Sequence, residues 1–160
     1  WALDYEKFKQ ELEKYAVKCG GGTNHRIGLW DGILVKDNHL AAISYKLSAI
    51  KEKLPKNMPI EIEVKNLNEL KQAFEAKVDI ILLDNMNIDQ IKKAVKICRG
   101  RPMCLPCDGR THRFAPTIEV SGGVNLSNVR QFAKAGVDRI SIGALTHSAK
   151  ALDLSLRIIM

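Results

Sequence analysis

Short apolar runs alternate along the chain with longer segments in which apolar residues recur at helical spacing. The apolar runs are bounded by polar turns, as buried strands are, and they cover residues 33–36, 60–64, 80–84, 117–121 and 139–143. Repeated strand–helix units of this kind form a parallel sheet with helices packed outside it. We therefore predict an α/β fold, a partial (β/α) barrel of parallel strands with outer helices; a doubly wound sheet is the alternative.

Each helical segment carries one stripe of apolar residues. The stripes are Tyr5, Phe8, Leu12 and Tyr15; Leu67, Leu70, Ala73 and Phe74; Ile88, Ile91, Ala94 and Val95; and Leu126, Val129, Phe132 and Ala133. Asn66, Asn87 and Asn125 stand directly before the last three stripes. An Asn side chain there can accept a hydrogen bond from an unpaired N–H of the first helical turn. Glu69 and Gln90 follow the first two Asn residues by three positions, which predicts capping boxes.

A weak internal repeat supports the strand–helix order. Asn66 is twelve positions before a Val-Asp pair at 78–79, and Asn125 is twelve positions before a second Val-Asp pair at 137–138. Residues 102–116 break this rhythm, because they separate a helix from the next strand by far more than the usual ~2–6 residues. We expect one domain over residues 1–160, with an insertion at 102–116.

The composition limits the classes of function that need consideration. Hydrophobic residues make up 46% of the 160 residues, which is enough for a core. No apolar run reaches the ~18 residues of a membrane span. The formal charge of +7 comes from Lys and Arg scattered along the chain, and only 6% of residues are aromatic. These features favour binding of small polyanions, such as phosphates and carboxylates, over binding of nucleic acid.

The cysteines raise the question of a metal or a disulfide. Cys104 and Cys107 form a C-x-x-C pair, with Cys98 before it and His112 after it. A specific zinc pattern needs a second pair, which the sequence lacks, so we expect free thiols in a loop. Four cysteines in a chain of this length, with no visible leader, indicate a cytoplasmic protein rather than a secreted disulfide framework.

The carboxyl ends of the predicted strands carry most of the candidate chemistry, and in parallel barrels these ends hold the working residues. In chain order the ends bear Lys36, Glu61 and Glu63, Asp84, Ser121 with Gly122 and Gly123, and Gly143 with His147 nearby. Alternation puts Glu61, Glu63 and Lys65 on one face of their strand. Glu63 and Asp84 could hold a hydrated Mg²⁺ or the hydroxyls of a sugar. The glycine turns would let backbone N–H groups approach a phosphate.

A glycine loop, Gly20 to Gly22, leads to the cationic pair His25 and Arg26. The three glycines suit both a helix C-cap and a ligand loop. The Arg26 guanidinium can fork onto a carboxylate, and His25 beside it can donate a hydrogen bond. The ligand indicated by the whole set is a phosphorylated sugar together with a carboxylated partner.

The chain resembles the quinolinate phosphoribosyltransferase family in motifs that run in the family's order from about residue 11 to the end. They are KYAV at 14–17, GGG at 20–22, NHR at 24–26, GL at 28–29, KDNH at 36–39, EIEV at 61–64, LDNM at 83–86, EVSGG at 119–123, SIGALTHS at 141–148 and LD at 152–153. The resemblance implies transfer of a phosphoribosyl group from phosphoribosyl pyrophosphate to quinolinate, with decarboxylation. The products are nicotinate mononucleotide, pyrophosphate and CO₂, in NAD biosynthesis, and Mg²⁺ is the implied cofactor.

By the same resemblance, His25, Arg26 and Lys36 face the quinolinate carboxylates. Glu63 and Asp84 face the ribose and the metal, and they stabilise an oxocarbenium-like centre as pyrophosphate leaves. Lys36, Glu63 and Asp84 are thus the implied catalytic residues. The groups that face phosphates are Ser121, Gly122, Gly143 and His147.

The chain departs from the family's pattern in two places. Members carry a separate N-terminal domain, the first barrel strands and a Thr-Arg-Lys-Thr-Thr-Pro-Gly stretch before the KYAV motif, and residues 1–9 contain nothing similar. Members also pass from the preceding helix to the EVSGG motif with little between, whereas this chain has residues 102–116 there. We therefore expect a truncated form with little activity alone, from a family whose full-length members are homodimers or higher oligomers.

Two other interpretations stay open. The chain could be a paralogue, such as the molybdenum-transport-associated relative, which shares the barrel motifs and acts on another substrate. It could also be a non-catalytic remnant that binds phosphates or a partner subunit.

Overall fold

A computed structural model of the chain describes residues 2–26, 28, 30–36, 55, 58–100, 115–150 and 152–159. In chain order the elements are α1 (Ala2–Cys19), β1 (Ile33–Val35), β2 (Ile60–Val64), α2 (Leu67–Glu75), β3 (Ile80–Asp84), α3 (Ile88–Gly100), β4 (Thr117–Ser121), α4 (Val129–Lys134), β5 (Arg139–Ile140) and α5 (Ala144–His147). The predicted bounds of β2, β3 and β4 are confirmed. β1 and β5 end earlier than predicted, at Val35 and Ile140.

The described strands form one parallel sheet whose spatial order follows the chain, β1-β2-β3-β4-β5. A doubly wound sheet needs a point at which the strand order reverses, and this sheet has none. Connections between parallel strands turn with one hand, and the described helices α2, α3 and α4 pack on one face of the sheet. The arrangement is an open arc of a (β/α) barrel, which confirms the predicted partial barrel.

The helix-facing side of the sheet holds the hydrophobic core. Alternate strand residues on this side are almost fully buried against α2, α3 and α4; they are Ile62, Val64, Ile81, Leu83, Ile118 and Val120. The helices contribute Leu70, Ala73, Ile91, Ala94 and Phe132 to the same cluster. Burial of each large aliphatic side chain stabilises the fold by roughly 1.5–3 kcal/mol. The sheet therefore owes its stability to one face, and the opposite face is available for other chemistry.

Two of the three predicted helix caps are confirmed. The Asn66 side chain accepts hydrogen bonds from the N–H groups of Asn68 and Glu69, both at 3.0 Å. Asn87 and Gln90 form a reciprocal capping box, with each side-chain oxygen accepting from the other residue's N–H at 2.9 and 3.0 Å. These bonds satisfy donors that a helix start leaves unpaired, so α2 and α3 begin where the Asn residues place them.

The third cap prediction is wrong, because Asn125 does not begin a helix. Its side chain accepts from the N–H of Ser127 at 2.9 Å, which closes a local turn instead. α4 begins at Val129 after Asn128, and Leu126 is 96% exposed rather than part of a buried stripe. Local side-chain bonding of this kind competes with helix formation.

The opening helix α1 is present, and its end is built as predicted. Gly21 has φ +81°, and the N–H of Gly22 donates to the carbonyl of Val17 at 2.9 Å, so the glycine loop caps the helix. Phe8 and Tyr15 of the predicted apolar stripe are more than half exposed. The described residues therefore leave that stripe uncovered.

The repeated Val-Asp pairs have a structural role. The Asp79 carboxylate accepts from the N–H of Ile60 at 2.9 Å, and the Asp138 carboxylate accepts from the N–H of Ile118 at the same distance. In both pairs the Asp backbone N–H donates back to the carbonyl of the same partner. Asp79, just before β3, therefore fixes the start of β2, and Asp138, just before β5, fixes the start of β4. Both contacts lie at the amino ends of the strands, away from the carboxyl ends.

Some sequence expectations concern other parts of the chain. Cys104, Cys107 and His112 lie outside the described residues, as does nearly all of the predicted insertion. Cys98 is a buried residue of α3. Within the described ranges no helix combines the length and apolarity required to cross a membrane.

Replacement of Asp79 by Ala should lower the free energy of unfolding by about 1–3 kcal/mol, because it leaves the N–H of Ile60 without its charged acceptor. Urea unfolding followed by circular dichroism measures the change. Asp153→Ala in the exposed C-terminal segment is the control and should change stability little. Equal effects of the two substitutions would contradict this role of Asp79.

Candidate active site

The face of the sheet opposite the helices carries charged and polar side chains. Glu61 and Glu63 lie on this face of β2, Asp84 ends β3, and Glu119 and Ser121 lie on β4. The register pairs Asp84 directly with Ser121 and sets it two residues beyond the level of Glu63 on the neighbouring strand. Alternation and parallel register thus gather these groups toward the carboxyl ends of the strands, as predicted.

His25 lies over this face and bridges two strands that are not neighbours. Its Nε2 is 3.0 Å from the Glu61 carboxylate on β2 and 3.5 Å from the Glu119 carboxylate on β4. The Glu61 and Glu119 side chains are only 7% and 2% exposed, whereas about a third of the His25 side chain is exposed. The hydrogen bond to Glu61 and the charges of Glu61 and Glu119 raise the pKa of His25, against the opposing effects of burial and of Arg26.

Glu119 is held from a second side. The hydroxyl of Ser141 donates to its Oε1, and the Arg139 guanidinium lies 4.0 Å from its Oε2. Among the described residues, Oε2 is a buried oxygen with no hydrogen-bond partner. A buried, incompletely paired carboxylate is costly, so its presence here indicates a site and not packing alone.

Glu61 and Glu119 lie on predicted strands, but neither is among the site residues predicted from the sequence. The available signal was a charged residue in the interior of an apolar run that reads as a buried parallel strand. What the sequence alone could not supply was the pairing of either residue with His25.

The loop after α1 forms a cleft of about 500 Å³ with the helix itself. Its lining residues are Gln10, Glu13, Lys14, Asn24, His25, Arg26, Gly28 and Thr146. The Asn24 side chain donates to the carbonyl of Lys14 at 3.0 Å, and the Arg26 guanidinium donates to the carbonyl of Gly32 at 3.4 Å. These bonds hold the loop against α1 and β1, and His25 and Arg26 both line the cleft.

The turn after β4 is shaped by glycine. Gly122 has φ +95° and Gly123 has φ +63°. A Cβ at Gly122 would lie 3.0 Å from the backbone nitrogen of Asn85 and closer still to the Asn85 side chain. Asn85 donates its N–H to the carbonyl of Ser121 at 2.9 Å, which draws the two turns together. The predicted glycine turn is therefore present and lies beside the end of β3.

The remaining predicted residues lie at the same edge of the sheet. Lys36 directly follows β1, so continuing the register places it level with Glu63 on β2. Gly143 precedes α5, and His147 is exposed with its Nδ1 2.6 Å from the Ser148 hydroxyl. Thr146 of α5 lines the same cleft as His25, which brings the last strand end to the cationic loop.

The donor set at the strand ends suits a hard cation. Glu63 on β2 is half-buried and pairs with Leu82, so Asp84 lies two residues farther along the adjacent strand β3. The Asp84 Oδ1 accepts a hydrogen bond from the Asn85 side chain at 3.0 Å. Carboxylate oxygens from one or two residues, with water completing the shell, are the usual protein ligands of Mg²⁺. The residues present therefore fit the predicted ion.

Replacement of Gly122 by Ala should destabilise the protein by about 1–3 kcal/mol, because it places a side chain at a positive φ and against Asn85. Gly123→Asn is the matched control, since no atom lies within 4 Å of a Cβ there and Asn tolerates positive φ best among non-glycine residues. Urea unfolding curves compare the two variants. Equal losses would show that the close approach to Asn85 does not matter.

Comparison with known proteins gives a family for this arrangement. Residues 9–157 match the family model described as quinolinate phosphoribosyl transferase, C-terminal domain. A probable carboxylating nicotinate-nucleotide pyrophosphorylase of Methanocaldococcus jannaschii is 45% identical over 150 residues, which are 92% of this chain and 50% of that protein. The Mycobacterium leprae carboxylating nicotinate-nucleotide pyrophosphorylase is 41% identical over 91% of this chain and 48% of its own length.

Solved structures agree. The nicotinate-nucleotide pyrophosphorylase from Francisella tularensis superposes with a TM-score of 0.77 and 42% identity, covering 91% of this chain and 48% of that one. A thiamine phosphate pyrophosphorylase from Pyrococcus furiosus, at 17% identity and a TM-score of 0.53, shares the fold alone. The chain spans about half the length of the curated relatives it matches.

Proposed function

The chain belongs to the quinolinate phosphoribosyltransferase C-terminal domain family, and from that membership we propose that it forms the phosphoribosyl-transfer site of such an enzyme. The reaction joins quinolinate to the ribose of phosphoribosyl pyrophosphate, releases pyrophosphate and CO₂, and gives nicotinate mononucleotide. The observation that carries the proposal is the cationic loop of His25 and Arg26 set over a sheet face lined by carboxylates and glycine turns.

The cationic groups bind the acidic substrate. Quinolinate carries two carboxylates, and His25, Arg26 and Lys36 supply positive charge at the cleft and at the neighbouring strand end. An Arg guanidinium binds a carboxylate through two parallel hydrogen bonds, which fixes the plane of the ring as well as its position. The raised pKa of His25 keeps its imidazole positively charged to higher pH than an ordinary His.

The strand-end carboxylates act on the sugar. Glu63 and Asp84 accept hydrogen bonds from the ribose hydroxyls, and their charge stabilises positive charge that develops at the ribose carbon as pyrophosphate departs. Mg²⁺, when bound at Glu63 and Asp84 through water, supplies the charge that neutralises the pyrophosphate. Asp84 suits this role because its position beside Ser121 lies next to the glycine turn.

The glycine turns bind the phosphates. Backbone N–H groups of the turns at Gly122 and Gly143 can donate hydrogen bonds to a phosphate. Asn85 lies against Gly122 and the His147 ring lies against Gly143, so both glycines are needed for close packing at this edge of the sheet. The hydroxyl of Ser121 and the imidazole of His147 add side-chain donors at the same edge of the sheet. Four groups from two successive strand ends thereby surround one phosphorylated ligand.

The family relatives are about twice as long as this chain, so the complete reaction draws on more than the residues described. Low turnover of the 160-residue chain alone, homodimer formation by the full-length protein, the insertion at 102–116 and a cytoplasmic location all stay predictions.

Calorimetric titration tests the assignment through two substitutions, each of which should weaken the binding of a different ligand. Asp84→Asn should weaken binding of phosphoribosyl pyrophosphate with Mg²⁺ about tenfold and leave quinolinate binding unchanged. Arg26→Gln should weaken quinolinate binding about tenfold and leave the sugar phosphate unaffected. Asp89→Asn and Arg130→Gln, at exposed positions on α3 and α4, are the matched controls and should change neither affinity.

The pattern of binding to the unsubstituted chain separates the three interpretations. Binding of both ligands supports the proposal. Binding of the sugar phosphate alone favours the paralogue that acts on another substrate, and binding of neither favours the non-catalytic remnant. Formation of nicotinate mononucleotide by this chain at the rate of a full-length relative would contradict the prediction of low turnover.

A further inference from the structure

Two buried carboxylates approach one another on the polar face of the sheet. Glu61 and Glu119 are 5% and 2% exposed, and both lie within 3.5 Å of the same His25 nitrogen. Two anions this close in a poorly solvated site repel each other, and each also loses its hydration. A cation between the two carboxylates offsets both costs.

The described residues offer few cations for that place. The Arg139 guanidinium is 57% exposed and stays 4.0 Å from Glu119, without a hydrogen bond. Arg26 follows His25 in the same loop, and Lys14 and Glu13 of α1 line the same cleft. Among the described residues, His25 has its Nε2 at hydrogen-bond distance from Glu61 and 3.5 Å from Glu119, closer to Glu119 than the Arg139 guanidinium.

We propose that Glu61 and Glu119 are positioning residues that hold His25 as an imidazolium, with Nε2 bound to the sheet and the rest of the ring presented to the cleft. A free imidazole is mostly neutral at physiological pH, so a His without this support would offer a carboxylate a weak neutral donor. Held between two carboxylates, His25 becomes a fixed cation for an acidic ligand. The inference deepens the proposed function and rests on it for the identity of that ligand, quinolinate.

The neighbours of Glu119 fit a supporting role. Ser141 donates to Oε1, which is the oxygen nearest His25, and thereby sets the orientation of the carboxylate. A Glu119→Gln substitution can keep this hydrogen bond through its amide oxygen while it removes the charge. This substitution therefore removes the negative charge of Glu119 with little change in packing.

A metal ion is the competing occupant. The nearest ligand atoms of His25, Glu61 and Glu119 lie within 4.8 Å of one another, a spacing that could enclose an ion. The 3.0 Å separation of Nε2 from Glu61 is a normal hydrogen-bond distance, and a metal ion would have to displace the proton on Nε2. The proton is therefore the occupant that the geometry favours.

NMR titration of the histidines in the 160-residue chain tests directly whether Glu61 and Glu119 favour the protonated form of His25. Glu61→Gln and Glu119→Gln should each move the His25 midpoint to lower pH, because both carboxylates favour the charged ring. Glu75→Gln, at an exposed position on α2, is the matched control and should not move the His25 midpoint. His25→Gln assigns the signal, and Glu61→Asp, which retains the charge, should restore part of the shift.

Ligand affinity gives the second measurement. At a pH of about 7.5, quinolinate should bind Glu119→Gln about tenfold more weakly than the unsubstituted chain, and lowering the pH should restore much of that loss. Binding of phosphoribosyl pyrophosphate should not change. A purely structural loss would weaken both ligands and would not recover with protons.

Two results would overturn the inference. One is an unchanged His25 midpoint in both Gln variants when circular dichroism shows them folded. The other is stoichiometric binding of Zn²⁺ or Mn²⁺ that broadens or shifts His25 and is lost in Glu119→Gln, which would make the cluster a metal site. A third result would separate the two proposals. If the His25 midpoints shift as expected but the chain does not bind quinolinate, the role of Glu61 and Glu119 stands and the proposed function is refuted.

Discussion

The bridge from His25 to the buried carboxylates of Glu61 and Glu119 is the interaction on which the polar half of this structure depends. It joins the loop after α1 to strands β2 and β4, which have β3 between them. Loss of His25 would leave two almost fully buried carboxylates without this partner in a site with little water, which is costly. The bridge therefore both positions the cationic loop and compensates the charges beneath it.

A sequential strand order makes that bridge possible. Since the order never reverses, the helices cover one face of the sheet, and aliphatic residues such as Leu83 and Val120 fill it. The alternate residues of the same strands face the other way and are free to carry charge. The stability of the fold and the chemistry of the site thus come from opposite faces of the same five strands.

The sequence predicts much of this arrangement because local physics determines it. β2, β3 and β4 are buried apolar runs between polar turns, and Asn66 and Asn87 cap their helices through bonds within three residues. Asn125 fails for an equally local reason, since its side chain bonds to Ser127 and forms a turn. Runs, caps and glycine turns therefore give the order of elements and the edge of the sheet that carries the site.

The carboxylate pair could not be predicted in this way. Leu82 and Leu83 look alike in the sequence, and only the register shows that Leu83 faces the helices while Leu82 pairs with Glu119 on β4. The contact of His25 with Glu61 spans 36 positions along the chain, a separation over which no periodicity or spacing rule applies. The contact of His25 with Glu61 and Glu119 therefore becomes visible only in the tertiary structure, whereas the strand-end residues of the site can be recognised from sequence motifs.

The proposed function requires that a phosphorylated sugar bind at the strand-end face. Lysines on the outer helices provide a rival location, a cleft of about 400 Å³ between α2 and α3 lined by Lys71, Lys93 and Lys96. The most direct test is amide chemical-shift mapping with phosphoribosyl pyrophosphate and Mg²⁺. We expect the largest shifts at Ser121, Gly122 and Gly143; largest shifts around Lys71, Lys93 and Lys96 would instead place the ligand on the outer helices.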